Sequence, residues 1–329
     1  MTLSRRQTLS ILKGGFVGLW GPWGCSALAR SARPVELRVG EAALQVHFEP
    51  ARLALGDEAV LSWIRTSAQA VRSYFGRFPV RTVYVFLRIA AGAGVGGGTT
   101  ERSQPPQVHI VLGEQSTLAQ LQADWVMPHE LFHLGFPSLA SCHHWMEEGL
   151  ATYVEPLGRA RIHTLSAEQV WGDLVRDMPQ GLPGRGDRGL DCNGGWGRTY
   201  WGGAMFWLVA DVQIRLQSDN RKGIEHALRA IVAAGGTLEE IWSIDRVLAV
   251  GDQALGGNVL RRLYDDMKGK PAPVDLEALW RKLGVVYRDN RISFDERAPL
   301  SAVRRAITFG SEAREQTFGS RQSCPDGSA

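Results

Sequence analysis

The chain is poor in cysteine: 329 residues carry four. None falls in a C-x-x-C spacing, which argues against a thiolate metal site. Cys25 and Cys324 lie near the ends. Cys142 and Cys192 are left as the one pair that an oxidising compartment would permit to join. Charge of one sign is also missing. Lys and Arg number 37 against 34 Asp and Glu, a formal balance of +3. Residues 1–29 hold Arg5, Arg6 and Lys13 and no acid, so the remainder is neutral. That balance speaks against nucleic acid as a partner. No long uninterrupted apolar run occurs. The stretch from Ile11 to Trp23 is broken by Lys13, several glycines and Pro22, and makes a poor membrane span. There is no internal repeat. What remains is ordinary globular composition, 44% hydrophobic and 22% charged, enough for one large domain or two packed lobes.

The N-terminus reads as an export leader. Ser4-Arg5-Arg6-Gln7-Thr8-Leu9 resembles a twin-arginine address, with Thr8 where an aromatic is usual. Ala27-Leu28-Ala29 is an A-x-A cleavage site, giving a mature start at Arg30. Two alternatives stand beside it: an uncleaved anchor, and lipidation at Cys25 after Gly24. The expected location is therefore periplasmic or secreted, with membrane attachment only through the leader or Cys25. No transmembrane domain is expected once the leader is removed. The oligomeric state is not legible.

Residues 30–115 read as a strand-rich N-terminal lobe. Val35, Leu37 and Val39 alternate with polar residues, as do Leu44, Val46 and Phe48. Val83 to Ile89 is a near-continuous apolar run, typical of a strand buried on both faces. Between them Val60, Trp63, Ile64, Ala68, Val71 and Tyr74 keep helical spacing, closed by Gly76. Glycines at 92–98 suggest a turn, followed by a strand from Gln107 to Leu112. Residues 116–310 read as a helical lobe. Thr237 with Glu240 forms a capping-box pattern, and Asp275 can cap a helix running to Gly284. Residues 181–198 hold seven glycines and read as a loop. From Ser311 the chain looks like a disordered tail.

His129-Glu130-Leu131-Phe132-His133 is an H-E-x-x-H motif. Histidines at i and i+4 share one helix face, so both imidazoles can reach a single ion, while Glu130 stands beside them near a metal-bound water. A catalytic zinc takes three protein ligands plus water, His₂Glu being one such set. The segment from Trp145 to Tyr153 reads as a second, antiparallel helix that would supply the third ligand from Glu148. Glu147 and His144 are its rivals. Thr152, one turn on, is placed to support that carboxylate or a histidine by a hydrogen bond. Asp211 and Arg215 read as a structural i, i+4 ion pair, and Glu155, Arg159 and Arg161 as salt-bridged surface. Arg185-Gly186-Asp187 reads as a coincidental tripeptide in a glycine-rich loop.

H-E-x-x-H followed by W-x-x-E-G resembles the gluzincin metallopeptidases. That group includes thermolysin and, nearer to this pattern, the aminopeptidase N and glycyl aminopeptidase families. The resemblance runs over roughly residues 93 to 309, most strongly at 129–153 and 200–215, and again at the segment from Phe294 to Leu300. It implies Glu148 as the third zinc ligand. Tyr200-Trp201-Gly202-Gly203, ahead of an apolar helix ending in Asp211 and Arg215, resembles the glycyl aminopeptidase pattern and implies Tyr200 as oxyanion donor. Gly202 stands where the family has lysine, and the span from His133 to Glu148 is trimmed. Pro128 requires the histidine helix to begin near Asp124 or to kink. The aminopeptidases hold the substrate amine with a glutamate in a glycine-x-x-glutamate-asparagine motif. Gly98-Thr99-Thr100-Glu101 matches its glycine and glutamate, which makes Glu101 the candidate here.

The expected architecture is α+β, a thermolysin-like two-lobe catalytic domain with a cleft between the lobes. The expected function is an exported zinc-dependent peptidase holding one Zn²⁺ per chain and acting on peptide or protein substrates, with Glu130 as general base. Aminopeptidase and endopeptidase are undecided. The alternatives are an inactive zinc-binding peptide-recognition module and a zinc amidase of cell-wall peptides.

Overall fold

The computed structural model describes residues 34–49, 53–192 and 194–310. The leader with Cys25 and the tail with Cys324 lie outside them. No helix among the described residues is long and apolar enough to cross a membrane. Among the same residues, seven strands and eleven α-helices form a mixed α/β architecture. A five-stranded sheet is ordered β1-β2-β3-β5-β4. Its strands are β1 (Val35–Val39), β2 (Ala42–Phe48), β3 (Thr82–Ala90), β4 (Val95–Glu101) and β5 (Gln107–Gly113). β1 runs antiparallel to β2, β2 and β3 are parallel, β3 and β5 are parallel, and β4 lies antiparallel to β5 at the edge. A parallel step needs a crossover, and helix α1 (Asp57–Phe75) makes the one between β2 and β3. It ends at Gly76 in the left-handed conformation that glycine adopts without strain.

The pleat sends alternate residues to opposite faces. Val83, Val85 and Leu87 of β3 and Val108, Ile110 and Leu112 of β5 are buried, together with Val60, Ile64, Ala68 and Val71 of α1. The opposite face carries Tyr84, Phe86, His47 and His109. His47 and His109 stack on Phe86 at 4.7 and 5.0 Å, and His109 is itself buried. Both histidines are thus packed on the Phe86 ring.

The glycine-rich segment departs from its expected turn. Gly92 and Gly94 have positive φ, but from Val95 the chain is strand, interrupted by an irregularity between Val95 and Gly97. Gly98 is needed there because a helix presses on it, as described below.

Helices α2 (Leu118–Ala123), α3 (Val126–His133), α4 (His144–Arg161), α5 (Ala167–Asp177), α6 (Gly203–Gln217), α7 (Ile224–Ala233), α8 (Ile244–Leu255), α9 (Val259–Met267), α10 (Leu276–Leu283) and α11 (Ser301–Phe309) follow, with the small hairpin β6 (Val285–Arg288) and β7 (Arg291–Phe294). Asp275 caps α10, and Gly284 closes it. Thr237 and Glu240 do not start a helix. They form a turn in which the Glu240 N–H donates to the Thr237 carbonyl, and the next helix begins at Ile244 under a Ser243 cap. The capping pattern is short-range and fits a turn equally well.

Asp211 and Arg215 form the expected pair at 2.8 Å. Arg215 also reaches Glu225 at 2.9 Å, and Asp211 accepts from the Tyr153 hydroxyl. Glu155, Arg159 and Arg161 are not surface groups. Glu155 and Arg159 are buried and paired at 3.0 Å, and Arg161 lies 3.7 Å from Glu225. Once helices pack around a pair of this kind, its charges are held by each other and by neighbouring hydrogen bonds. Cys142 and Cys192 are free, exposed thiols.

Candidate metal centre

The helix carrying the H-E-x-x-H motif is short, and its start is made by local chemistry. The first N–H groups of a helix lack intrahelical acceptors. In α3 the N–H groups of Val126 and Met127 donate to the two carboxylate oxygens of Asp124, each at 3.0 Å. Pro128 comes third and has no N–H to satisfy. His129 makes the first helical bond, to the Trp125 carbonyl. The proline thus sits in the opening turn and α3 needs no kink. His129 and His133 fall on one face, ring centroids 4.9 Å apart.

Helix α4 brings Glu148 to them. Its carboxylate Oε2 lies 3.2 Å from His129 Nε2 and 3.6 Å from His133 Nε2. The three ligand atoms all lie within 4.8 Å of one another, and they are the one such group among the described residues. Ligands bound tetrahedrally to zinc at about 2.0–2.2 Å stand roughly 3.4 Å apart, so this donor set fits that ion. Burial pushes the Glu148 carboxyl up, but the positive charge of His133, the hydrogen bond to His129 and the charges of His129 and His144 outweigh it. The balance brings the carboxyl down to about 2. A cation at the same place would pull in the same direction.

The rivals of Glu148 do not join the cluster. Glu147 Oε1 accepts the Leu139 N–H at 2.6 Å, tying α4 to the trimmed connection after α3. His144 is exposed, with Nε2 3.3 Å from Glu148 Oε1, the oxygen turned away from the other histidines. The Trp145 indole donates to Asp191 at 2.7 Å, and the Tyr264 hydroxyl donates to the other oxygen of Asp191 at 2.8 Å. Thr152 departs from expectation. Its hydroxyl donates to the Glu148 main-chain carbonyl at 2.7 Å and not to a carboxylate or imidazole. Threonine within a helix readily turns its hydroxyl back to the i−4 carbonyl, and it does so here.

Glu130 is buried beside the cluster. Burial raises its carboxyl, opposed by the charge of His133, reinforced by that of Glu148 and opposed again by a hydrogen bond from Thr100. The result is about 7, in the range suited to taking and returning a proton near neutrality.

Tyr200 sits in a π-helical turn, Arg198–Gly202, that leads into α6. Such turns bulge a helix and redirect a side chain. Arg198 fixes the turn through the Gly181 carbonyl and through Asp187, whose carboxylate lies 2.8 Å from its Nε. Asp187 of the Arg185-Gly186-Asp187 tripeptide therefore has an internal structural partner. The Tyr200 ring stacks 6.3 Å from His129 and 5.5 Å from Trp196. Burial raises its phenol, helped by the charges of Glu148 and Glu130 and a hydrogen bond to Glu148. The hydroxyl stays protonated and able to donate.

Glu101 is not brought to this cluster. The pleat of β4 puts Gly98 and Thr100 on the face toward α3, and Thr99 and Glu101 on the opposite face. Glu101 is exposed there, 3.9 Å from His109 Nε2. Its placement corrects the reading that it anchors a substrate amine beside the zinc ligands. Sequence reasoning missed Thr100, whose hydroxyl lies 2.7 Å from Glu130 Oε2. The signal was the two-residue spacing from Gly98 once the segment is taken as strand.

No protein-family model matches the chain, and no curated protein matches it in sequence. Solved structures do match it in fold. An aminopeptidase N family protein from Idiomarina loihiensis has TM-score 0.57 at 14% identity, over 81% of this chain and 52% of that one. An M1 zinc metallopeptidase from Deinococcus radiodurans has TM-score 0.47 at 19% identity, over 74% and 53%. The same kind of enzyme from that organism, bound to a Tyr-Ser-Ala substrate, has TM-score 0.46 at 16% identity. The chain spans about half the length of each of these structures. At such identities the likeness speaks to fold, and in fold the chain is similar to an aminopeptidase N family protein, in keeping with its gluzincin-like motifs.

Proposed function

We propose that this chain is an exported, zinc-dependent metallopeptidase of gluzincin type that hydrolyses peptide bonds. The observation that carries the reading is the convergence of His129, His133 and Glu148 within 4.8 Å, with the buried Glu130 carboxyl alongside. In this reading those three residues hold one zinc ion. When bound, zinc supplies a Lewis acid that acidifies water and polarises a carbonyl. Glu130 accepts a proton from the attacking water and returns it to the leaving amine. Tyr200 donates a hydrogen bond to the carbonyl oxygen as negative charge develops there. An extended peptide pairs along the free edge of β4. The thermolysin-like division belongs to the same proposal: a strand-rich lobe over residues 30–115, a helical lobe over 116–310 and a cleft between them. So does export through residues 1–29.

The test combines metal analysis with turnover on a mixed peptide pool. One zinc per chain, with hydrolysis that falls at least about 100-fold in Glu130→Gln while zinc is retained, supports the reading. Zinc without turnover in the unaltered protein overturns it in favour of a peptide-recognition module. Peptides with free and acetylated N-termini decide between exo- and endopeptidase, since an aminopeptidase rejects the blocked ones.

A further inference from the structure

Glu130 is gripped from the sheet. Gly98 stands against its stem: a β-carbon at Gly98 would lie 2.7 Å from Glu130 Cγ, 2.8 Å from Ile110 Cδ1 and 2.9 Å from Val126 Cγ1. Contacts that short are not tolerated, so only glycine lets α3 approach the strand this closely. Two residues on, and therefore on the same face, Thr100 places Oγ1 2.7 Å from Glu130 Oε2 and 2.8 Å from the Glu130 main-chain oxygen, so its one hydroxyl proton is shared between the carboxylate and the carbonyl. The β-branch of threonine restricts χ1, so this hydroxyl is held in place. A hydrogen bond to a carboxylate is among the stronger kinds, and partial burial strengthens it.

From this geometry we infer that Thr100 is a positioning residue for the general base. It occupies Oε2 of Glu130, fixes the carboxylate plane and leaves Oε1 to exchange the proton with water and leaving group. The inference rests on the peptidase reading above. It also gives β4 a double role, since the edge strand offered to substrate is the strand that aims the base. A carboxylate lacking this bond keeps its packing against Gly98 but turns about its terminal torsion, which is broad and nearly two-fold.

The test compares Thr100→Val and Thr100→Ser with the unaltered protein on the same peptide pool. Valine keeps the shape and removes the hydroxyl, whereas serine restores the hydroxyl on a less restricted side chain. Thr100→Val is expected to lower kcat about 10- to 100-fold, leaving KM within about 2-fold and zinc content at one per chain, with the thermal midpoint lowered by no more than the loss of one hydrogen-bond donor explains. Thr100→Ser is expected to recover most of the lost kcat. A kcat unchanged in Thr100→Val overturns the inference. So does a loss that appears only in KM, which would mark Thr100 as a substrate contact, or a loss that serine fails to rescue, which would mark a packing role. Absence of turnover in the unaltered protein overturns the peptidase reading itself, and this inference with it. Turnover that survives Glu130→Gln removes the base from the reaction and has the same consequence for Thr100.

Discussion

Gly149 of α4 and Gly203 of α6 meet backbone to backbone, with no side chain between the two residues. A β-carbon on Gly149 would lie 2.3 Å from Gly203 Cα, and one on Gly203 would lie 2.1 Å from the Trp145 carbonyl oxygen. Gly149 follows Glu148 directly, so the glycine of W-x-x-E-G sets how closely the helix that carries the third candidate ligand approaches α6, which begins just after Tyr200. Gly→Ala within a helix normally stabilises by about 0.5–1 kcal/mol. Here the overlap is with rigid backbone, and overpacking costs about 1–3 kcal/mol or more. Gly149→Ala is expected to be destabilising on balance and to weaken zinc binding, as read by thermal unfolding and zinc titration.

Zinc is expected to raise the unfolding midpoint of the full chain, and a chelator to reverse the shift. An ion that binds only the folded state contributes about 2.7 kcal/mol at one hundred times its dissociation constant. His133→Ala is expected to abolish the zinc-dependent part, because a site reduced to two ligands holds the ion poorly. Calorimetry with and without zinc checks both.

Tyr200→Phe keeps the ring that stacks on His129 and removes only the hydroxyl. The variant is expected to bind zinc normally and to lose about 100- to 1,000-fold in kcat, the usual cost of one oxyanion donor. Steady-state kinetics beside metal analysis separates this outcome from a packing role, in which turnover would persist.

Asp124 carries a pH dependence of its own. Burial raises its carboxyl to about 6 from 3.8, against the hydrogen bonds from Met127 and Val126 and the charge of Arg159. Below the unfolded value both states hold the proton. As pH rises from about 4 to 6 the unfolded chain releases it first, and folding loses stability. Asp124→Asn lacks this proton. Asparagine accepts only one of the Val126 and Met127 N–H groups, a constant loss at every pH. On top of that offset, the difference from the unaltered protein is expected to move in the variant's favour by up to about 2 kcal/mol across that window, allowing for partial exposure, and no further above it. Denaturant titrations at several pH values read the difference.

Much of the site could be read from the chain because its spacings are local. Positions i and i+4 fix the two imidazoles, and Pro128 already confined the start of α3. Glu148 needed the W-x-x-E-G resemblance, since Glu147 is an equally plausible ligand until Leu139 is seen to occupy it. Glu101 and Thr100 differ by one residue, and strand parity alone decides which faces α3. Parity became clear only when the glycines after Gly94 proved to be strand. Thr152 and Thr237 offered hydroxyls with several acceptors in reach, and local patterns cannot rank acceptors that packing supplies.

Helix α3 is eight residues long, with His133 its last and His129 in its middle. Two turns of helix are too short to persist alone in water. Its Asp124 cap and its contacts with β4 and α4 hold this short helix, and with it the face that carries both imidazoles. In the proposed zinc reading the ion would sit in a shell that these contacts hold, so metal removal is expected to leave α3 in place.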